Sequence, residues 1–276
     1  QALRDAIKHA RTSGAEPFYV SASAGTTVLG AFDPFNEIAD ICQEEGLWMH
    51  VDGCWGGSAI FSNKNKVLLK GSERADSLSW NAHKMIGAPL QCSPVITRHK
   101  GLIAECLSLR ATYLFQQDKF YDPSYDLGDN SIQCGRKVDA FKLYLMLNVH
   151  GNAEMGKKVD DAFDAAKYLD EQARSHPGFR AVMQTAPMCN NICFWYIPPS
   201  LRGQTEDDAW WEKISKVAPA IKERMMKAGT LMVGYQPLDN KNYVNFFRMI
   251  TTCIPTPTKE HMDFVINEID RLGKDL

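Results

Sequence analysis

The stretch spanning residues 18–57 sets the tightest limit on what this chain can fold into. Phe18-Tyr19-Val20-Ser21-Ala22 is a short β-prone run that stops at Ala24-Gly25-Thr26-Thr27. Pro34 then opens an amphipathic helical pattern with Phe35, Ile38, Ala39, Ile41 and Cys42 on one side, and Gly46 closes it. Helix termini favour that order, because the first N–H groups are unpaired in any case and glycine tolerates a left-handed backbone. Residues 47–51 are again a short apolar run. Strand, helix, strand predicts parallel neighbours joined by a covering helix, since parallel strands need a long crossover. The chain is therefore read as α/β, with further short strands near residues 77–80 and 93–97.

The character of the sequence changes after about Gly151. Residues 153–173 carry a long helical pattern with Val159, Ala162, Phe163, Ala166, Tyr168 and Leu169, followed by strand-like runs at 191–197, 231–235 and 244–250. Helical patterns at 209–228 and 259–272 separate and close them, and Pro198-Pro199 marks an exposed turn. Two domains are expected: residues 1–150 in a large α/β unit and residues 151–276 in a small α+β unit. The aromatic runs Phe194-Trp195-Tyr196 and Phe246-Phe247 are read as core strands, not stacking platforms.

A net charge of -2 gives no electrostatic footprint for nucleic acid, and no apolar run reaches the length of a membrane span. The eight cysteines form no C-x-x-C pair and show no zinc-type spacing with the seven histidines. Free thiols in a reducing, cytoplasmic compartment are expected, and no metal site. Gln1 stands already inside a helical pattern (Ala2, Leu3, Ala6, Ile7, Ala10), so the sequence reads as part of a longer chain.

In an open α/β sheet, ligands bind beyond the carboxyl ends of the strands. Two strands deliver unusual groups there. In His50-Val51-Asp52-Gly53-Cys54-Trp55-Gly56-Gly57 a carboxylate leaves an apolar strand for a loop of small residues, and in Ser79-Trp80-Asn81-Ala82-His83-Lys84 a lysine follows a strand. Singly, each is unremarkable: an aspartate at a strand end commonly shapes a turn, and a His-Lys pair commonly sits in solvent. Together they match what pyridoxal phosphate requires. That cofactor needs a lysine for its aldehyde, an acid for its ring nitrogen, and hydrogen-bond donors for its phosphate. Lys84, Asp52, and Asn81 with His83 are the candidates for those three tasks.

These two motifs resemble those of the group II pyridoxal phosphate-dependent amino-acid decarboxylases, and the likeness runs through nearly the whole chain. Ser23-Ala24-Gly25-Thr26-Thr27, residues 113–119, 191–199, Val233-Gly234-Tyr235-Gln236-Pro237 and Asn245-Phe246-Phe247-Arg248 also match, within the branch of glutamate, cysteine sulfinate and aspartate decarboxylases. The resemblance implies the aminotransferase-like fold type I, truncated at its N-terminus, and a homodimer with its active site at the subunit interface. It implies that Lys84 carries the cofactor, Asp52 pairs with the ring nitrogen, Cys54 packs on the ring, Thr27 lies near the cofactor, and Asn81 and His83 lie near the phosphate. Tyr113, on a mobile loop, would return a proton to the substrate carbon, and Arg248 would bind the distal acid group.

The activity implied is decarboxylation of a short acidic amino acid, cysteine sulfinate or aspartate, with glutamate as the alternative. A weakly catalytic cofactor-binding relative is a further alternative, and Tyr113 argues against an aminotransferase. The loop carrying Tyr113 has Gln117 where glutamate decarboxylases typically have proline. Three departures stand inside the motifs: Ala82 replaces a common proline, and Gly53 and Cys54 replace common alanines. The residues around Cys134 are implied to lie near a subunit interface.

Overall fold

The first α/β unit forms as the alternation predicts. The computed structural model describes residues 1–108, 116, 118–126, 128–133, 137–252 and 255–276. Helix α1 (Ala2–Thr12) precedes strand β1 (Tyr19–Ser23), helix α2 (Phe35–Glu45) and strand β2 (Trp48–Gly53). Pro34 stands at the N-cap of α2, and Gly46 ends it at φ 68°, where its N–H donates to the Cys42 carbonyl. Strand β3 (Ser77–Trp80) lies parallel to β2, as β2 does to β1. Strand β4 (Val95–Thr97) instead runs antiparallel to β3. The segment joining them contains no α-helix, so the chain has no crossover to carry it back and returns in the opposite direction. The sheet order is β1-β2-β3-β4, and its apolar core gathers Ala22, Phe35, Ala39, Met49 and Val51.

After the short helix α3 (Leu102–Leu107), helix α4 runs Asp139–Ser175 and is broken at Gly151, whose φ 68° and ψ 168° are not helical. Its first part escapes the periodicity because Phe141, Tyr144, Leu145 and Val149 are exposed, while Met155, Val159, Ala162, Ala166 and Leu169 of its second part are buried. The second sheet has the order β5-β6-β8-β7, all antiparallel, built from β5 (Phe179–Ala181), β6 (Asn191–Tyr196), β7 (Gly234–Leu238) and β8 (Tyr243–Ile250). Strand β7 lies further along than residues 231–235. It is an edge strand with a register shift between Gln236 and Leu238, a place where Pro237 costs no ladder bond. Helix α5 (Asp208–Ala228) starts on an Asp207 carboxylate that accepts the Trp210 N–H, and α6 (Lys259–Gly273) starts on a Thr258–His261 capping box. Phe194, Tyr196, Phe246 and Phe247 are fully buried beneath these helices, as core strands should be.

Candidate active site

Asp52 stands one residue before the end of β2, and the alternation of a strand puts His50 and Asp52 on one face. Ser77 and Ser79 of β3 pair with His50 and Asp52 in register, so a hydrogen-bonded line crosses the two strands. Trp48 Nε1–H donates to Ser77 Oγ at 2.9 Å, and His50 Nδ1 lies 2.8 Å from the same oxygen. His50 Nε2 lies 3.3 Å from Ser79 Oγ, whose hydroxyl donates to Asp52 Oδ1 at 3.3 Å. The Cys54 N–H donates to the same carboxylate oxygen at 3.0 Å. Burial alone would raise the Asp52 pKa; the Cys54 backbone and side chain, Ser79 and His50 overcome it and hold the carboxyl below its ordinary value. Burial also holds His50 below its ordinary value, against the pull of Asp52. The sheet edge thus presents an ionised carboxylate beside a neutral imidazole.

Lys84 comes from the loop after β3. That loop is anchored, since Ala82, Met85, Ile86 and Ala88 are buried with Met155 and Val159 of α4. The Lys84 N–H donates to the Asn81 carbonyl and the Ala88 N–H to the Ala82 carbonyl, each at 3.1 Å. His83 Nδ1 faces the Cys92 backbone, 3.0 Å from its oxygen and 3.1 Å from its nitrogen, which leaves the Nε2 edge outside that clamp. Alanine in place of proline at position 82 therefore sits in a packed, hydrogen-bonded turn. Cys54 Sγ donates to Ser79 Oγ at 3.3 Å. Burial raises the thiol's pKa, Ser79 and Lys84 lower it, and Asp52 adds to the rise. At Gly53 an alanine Cβ would come 2.9 Å from the Ser79 carbonyl oxygen, so the glycine fits this close approach of β2 and β3.

Two groups join the site from the second sheet. Arg248 of β8 is half-buried, with Nε and Nη2 enclosed and without a hydrogen-bond partner among the described residues. Burial lowers its pKa, and the charge-coupled groups are the thiols of Cys193 and Cys189. Its Cζ lies 5.0 Å from the centre of the Trp55 ring, and Lys84 Nζ lies 5.7 Å from that same ring. Asn191 of β6 accepts the Trp55 indole N–H at 2.6 Å and donates to the Thr27 and Val28 carbonyls at 2.9 and 3.1 Å.

Of the residues singled out from sequence, Asp52, Cys54 and Lys84 meet at one edge, with Arg248 reaching it across Trp55. Thr27 is exposed and joins through its carbonyl, and Asn81 and His83 lie in the lysine's loop. Tyr113, Gln117 and Cys134 lie outside the described residues. Sequence reasoning missed Trp55 and Asn191 as site residues and Ser79 as a hub. The signal for Trp55 was its place among Gly53, Gly56 and Gly57, where a large ring beside small residues must pack on something else.

Fold and edge define a pyridoxal-type α/β enzyme scaffold. Residues 1–197 match the pyridoxal-dependent decarboxylase conserved domain, and the chain belongs to that family, whose cofactor is pyridoxal phosphate. It is 51% identical over 275 residues to the acidic amino acid decarboxylase GADL1 of Mus musculus, covering 99% of this chain and 49% of that protein. It is 49% identical to the cysteine sulfinic acid decarboxylase of Homo sapiens, covering 99% of this chain and 55% of the other. A crystal structure of mouse CSAD superposes with a TM-score of 0.93 at 46% identity, over 99% of this chain and 56% of that one. The chain spans about half the length of these relatives. No helix among the described residues is long and apolar enough to cross a membrane.

Proposed function

We propose that the full protein decarboxylates a short acidic amino acid, cysteine sulfinate or aspartate, with pyridoxal phosphate. The observation that carries this is Arg248: a guanidinium with two enclosed N–H groups lacking partners among the described residues, in one site with Lys84 and Asp52. A desolvated cation without a counter-charge is costly, and a substrate's distal acid group answers that cost by accepting from the guanidinium's bidentate fork. The residues also fit the cofactor, since a carboxylate kept ionised at the sheet edge suits a protonated ring nitrogen.

Pyridoxal phosphate, when bound, supplies an aldehyde that captures an amine and a ring that accepts the electrons of the breaking carbon–carbon bond. Lys84 gives the amine that holds the aldehyde before substrate arrives. Asp52 keeps a proton at the ring nitrogen, with Ser79 and the Cys54 N–H orienting its carboxylate. Thr27 and Cys54 line the cofactor, and Asn81 and His83 serve its phosphate. Tyr113 returns a proton to the substrate carbon, and Arg248 fixes the distal acid.

We assign residues 1–150 to the large domain and 151–276 to the small one, and the full protein to a cytoplasmic homodimer with its active site at the subunit interface. The free thiols of the described cysteines and the exposed apolar residues Phe141, Tyr144, Leu145 and Val149 of α4 support this. The test is competition among cysteine sulfinate, aspartate and glutamate at equal concentration in the full-length natural chain, following carbon dioxide and each amine. One methylene separates the two groups of substrate, worth about 10–200-fold in kcat/KM. Glutamate consumed first would replace the assignment by a glutamate decarboxylase, and bound cofactor without carbon dioxide release would replace it by a cofactor-binding relative.

A further inference from the structure

The environment of Arg248 contains an aromatic partner where a carboxylate would be expected. Its charge-coupled neighbours Cys189 and Cys193 have pKa values pushed up to about 12 by burial, so at neutral pH they are uncharged thiols. What faces the guanidinium is the Trp55 ring, 5.0 Å away, and that ring also faces the Lys84 ammonium at 5.7 Å. Two cations served by one ring are an unusual arrangement. Their mutual repulsion is offset by the negative face of the indole, which acts most strongly where water is displaced.

The ring is also fixed in rotation. Its one N–H points at Asn191 Oδ1, 2.6 Å away, and the amide's other end is tied to two carbonyls of the loop after β1. Asn191 is fully enclosed, at 3% exposure. It lies on β6, where Cys193, two residues on, pairs with Arg248 itself. The second sheet therefore holds both the guanidinium and the amide that orients its aromatic partner, while the first sheet holds the ring and the lysine.

We infer that Trp55, oriented by Asn191, is a positioning residue that sets the separation of Arg248 from Lys84 and thereby selects the length of the acidic substrate. The inference rests on the reading of Arg248 as the cation for the distal acid group. A substrate spans from its amine, delivered at the Lys84 position, to its distal acid at Arg248. A rigid ring packed against both side chains makes the distance from the Lys84 position to Arg248 a fixed quantity, so with its amine in the place of Lys84 an acid one methylene too long or too short meets Arg248 poorly. Trp55 takes no part in bond making or breaking in this role and acts through Arg248.

The test uses the full-length natural chain with its cofactor and the variants Trp55→Leu, Trp55→Phe, Asn191→Leu and Arg248→Gln. Steady-state kinetics with aspartate and glutamate are combined with calorimetric titration of succinate and glutarate, two dicarboxylates of the matching lengths that lack the amine. Trp55→Leu is expected to raise KM for the preferred acid about 5–30-fold, the worth of a desolvated cation–π contact, with a smaller change in kcat. It is also expected to bring the aspartate-to-glutamate ratio of kcat/KM, and the ratio of the two dicarboxylate affinities, toward one. Trp55→Phe keeps a ring face and should recover most of the KM, while Asn191→Leu leaves the ring unoriented and should lose the length preference. If Trp55→Leu does not fold, Trp55→Phe and Asn191→Leu decide through the same two ratios. Wild-type ratios in every folded variant would overturn the inference, whereas unchanged acid and dicarboxylate affinities in Arg248→Gln would overturn the reading of Arg248 beneath it.

Discussion

Replacing Gly56 by alanine probes whether the loop that carries Trp55 is held by close backbone packing. A Cβ at Gly56 would stand 2.6 Å from the Ala24 carbonyl oxygen and 2.5 Å from Phe32 Cζ, far inside the separation of about 3.5–4.0 Å at which carbon atoms attract. The half-buried Phe32 ring can turn aside, but the Ala24 carbonyl cannot. Ala24 is fully buried, donates its N–H to the Asp52 carbonyl at 2.8 Å, and is bridged to Phe32. The Gly56 N–H itself donates to that same Ala24 oxygen at 2.8 Å. Relief of the clash sacrifices this bond, a net loss of about 1 kcal/mol, beyond the roughly 1–3 kcal/mol of overpacking. The expected destabilisation is therefore ~2–4 kcal/mol. Gly46→Ala is the control. Its φ of 68° strains an alanine by about 1 kcal/mol, but nothing lies within 4 Å of the added carbon. Equilibrium urea unfolding of the full-length natural chain and both variants, with m-values compared first, measures the two costs. A smaller loss for Gly56→Ala than for Gly46→Ala would refute the packing argument.

Lys84→Ala in the full-length chain should abolish carbon dioxide release and the absorbance of lysine-bound cofactor, while Asp52 and the phosphate donors still retain free cofactor; a surviving rate would remove Lys84 from its role. His50 should make stability depend on pH. Burial holds its folded-state pKa below the ordinary 6.5, so the unfolded chain binds the proton more readily, and the stability present above pH 6.5 is lost as pH falls from there through the folded-state value. His50→Gln should flatten that slope in urea midpoints, and identical slopes in both proteins would show that the imidazole is not held neutral by its burial.

Much of the first sheet was legible because its signals are local. Pro34 and Gly46 bracket α2, and short apolar runs on either side have no other use than as buried strands. The direction of β4 was not legible, because it depends on the lack of a helix between β3 and β4, which short strand patterns do not reveal. The start of α4 was hidden for another reason: a helix whose apolar residues are exposed carries no inward-facing stripe to read. Asp52 and Lys84 were legible as chemistry only as a pair, since each is ordinary at a strand end but an acid and a lysine delivered to one sheet edge match the needs of the cofactor. Ser79, Trp55 and Asn191 were not. Their roles arise from cross-strand register and from contact between sheets more than a hundred residues apart in sequence, and no periodicity carries that information.

Arg248 lies between these cases, and its strand shows how far local reasoning reaches. An arginine within an apolar strand can be read as a side chain that bends out to solvent. Yet side chains two apart in a strand share a face, and Phe246, two residues before Arg248, is fully buried. On the neighbouring strand the paired residue is Cys193, itself buried. A guanidinium sharing a face with a buried phenylalanine and paired with a buried thiol has little path to water, and that much follows from β8 and its pairing with β6. What does not follow is the compensation. Among the described residues no carboxylate adds to its charge balance, so the described part of the second sheet holds a cation that it does not neutralise. The partial answer comes from the π face of Trp55, in the turn after β2, which leaves Nε and Nη2 without a hydrogen-bond partner among the described residues. A site whose cation and lysine share one ring gains its geometry only when both sheets are assembled, and on the inference drawn from Trp55 the selectivity for the acid belongs to that junction and not to either sheet by itself.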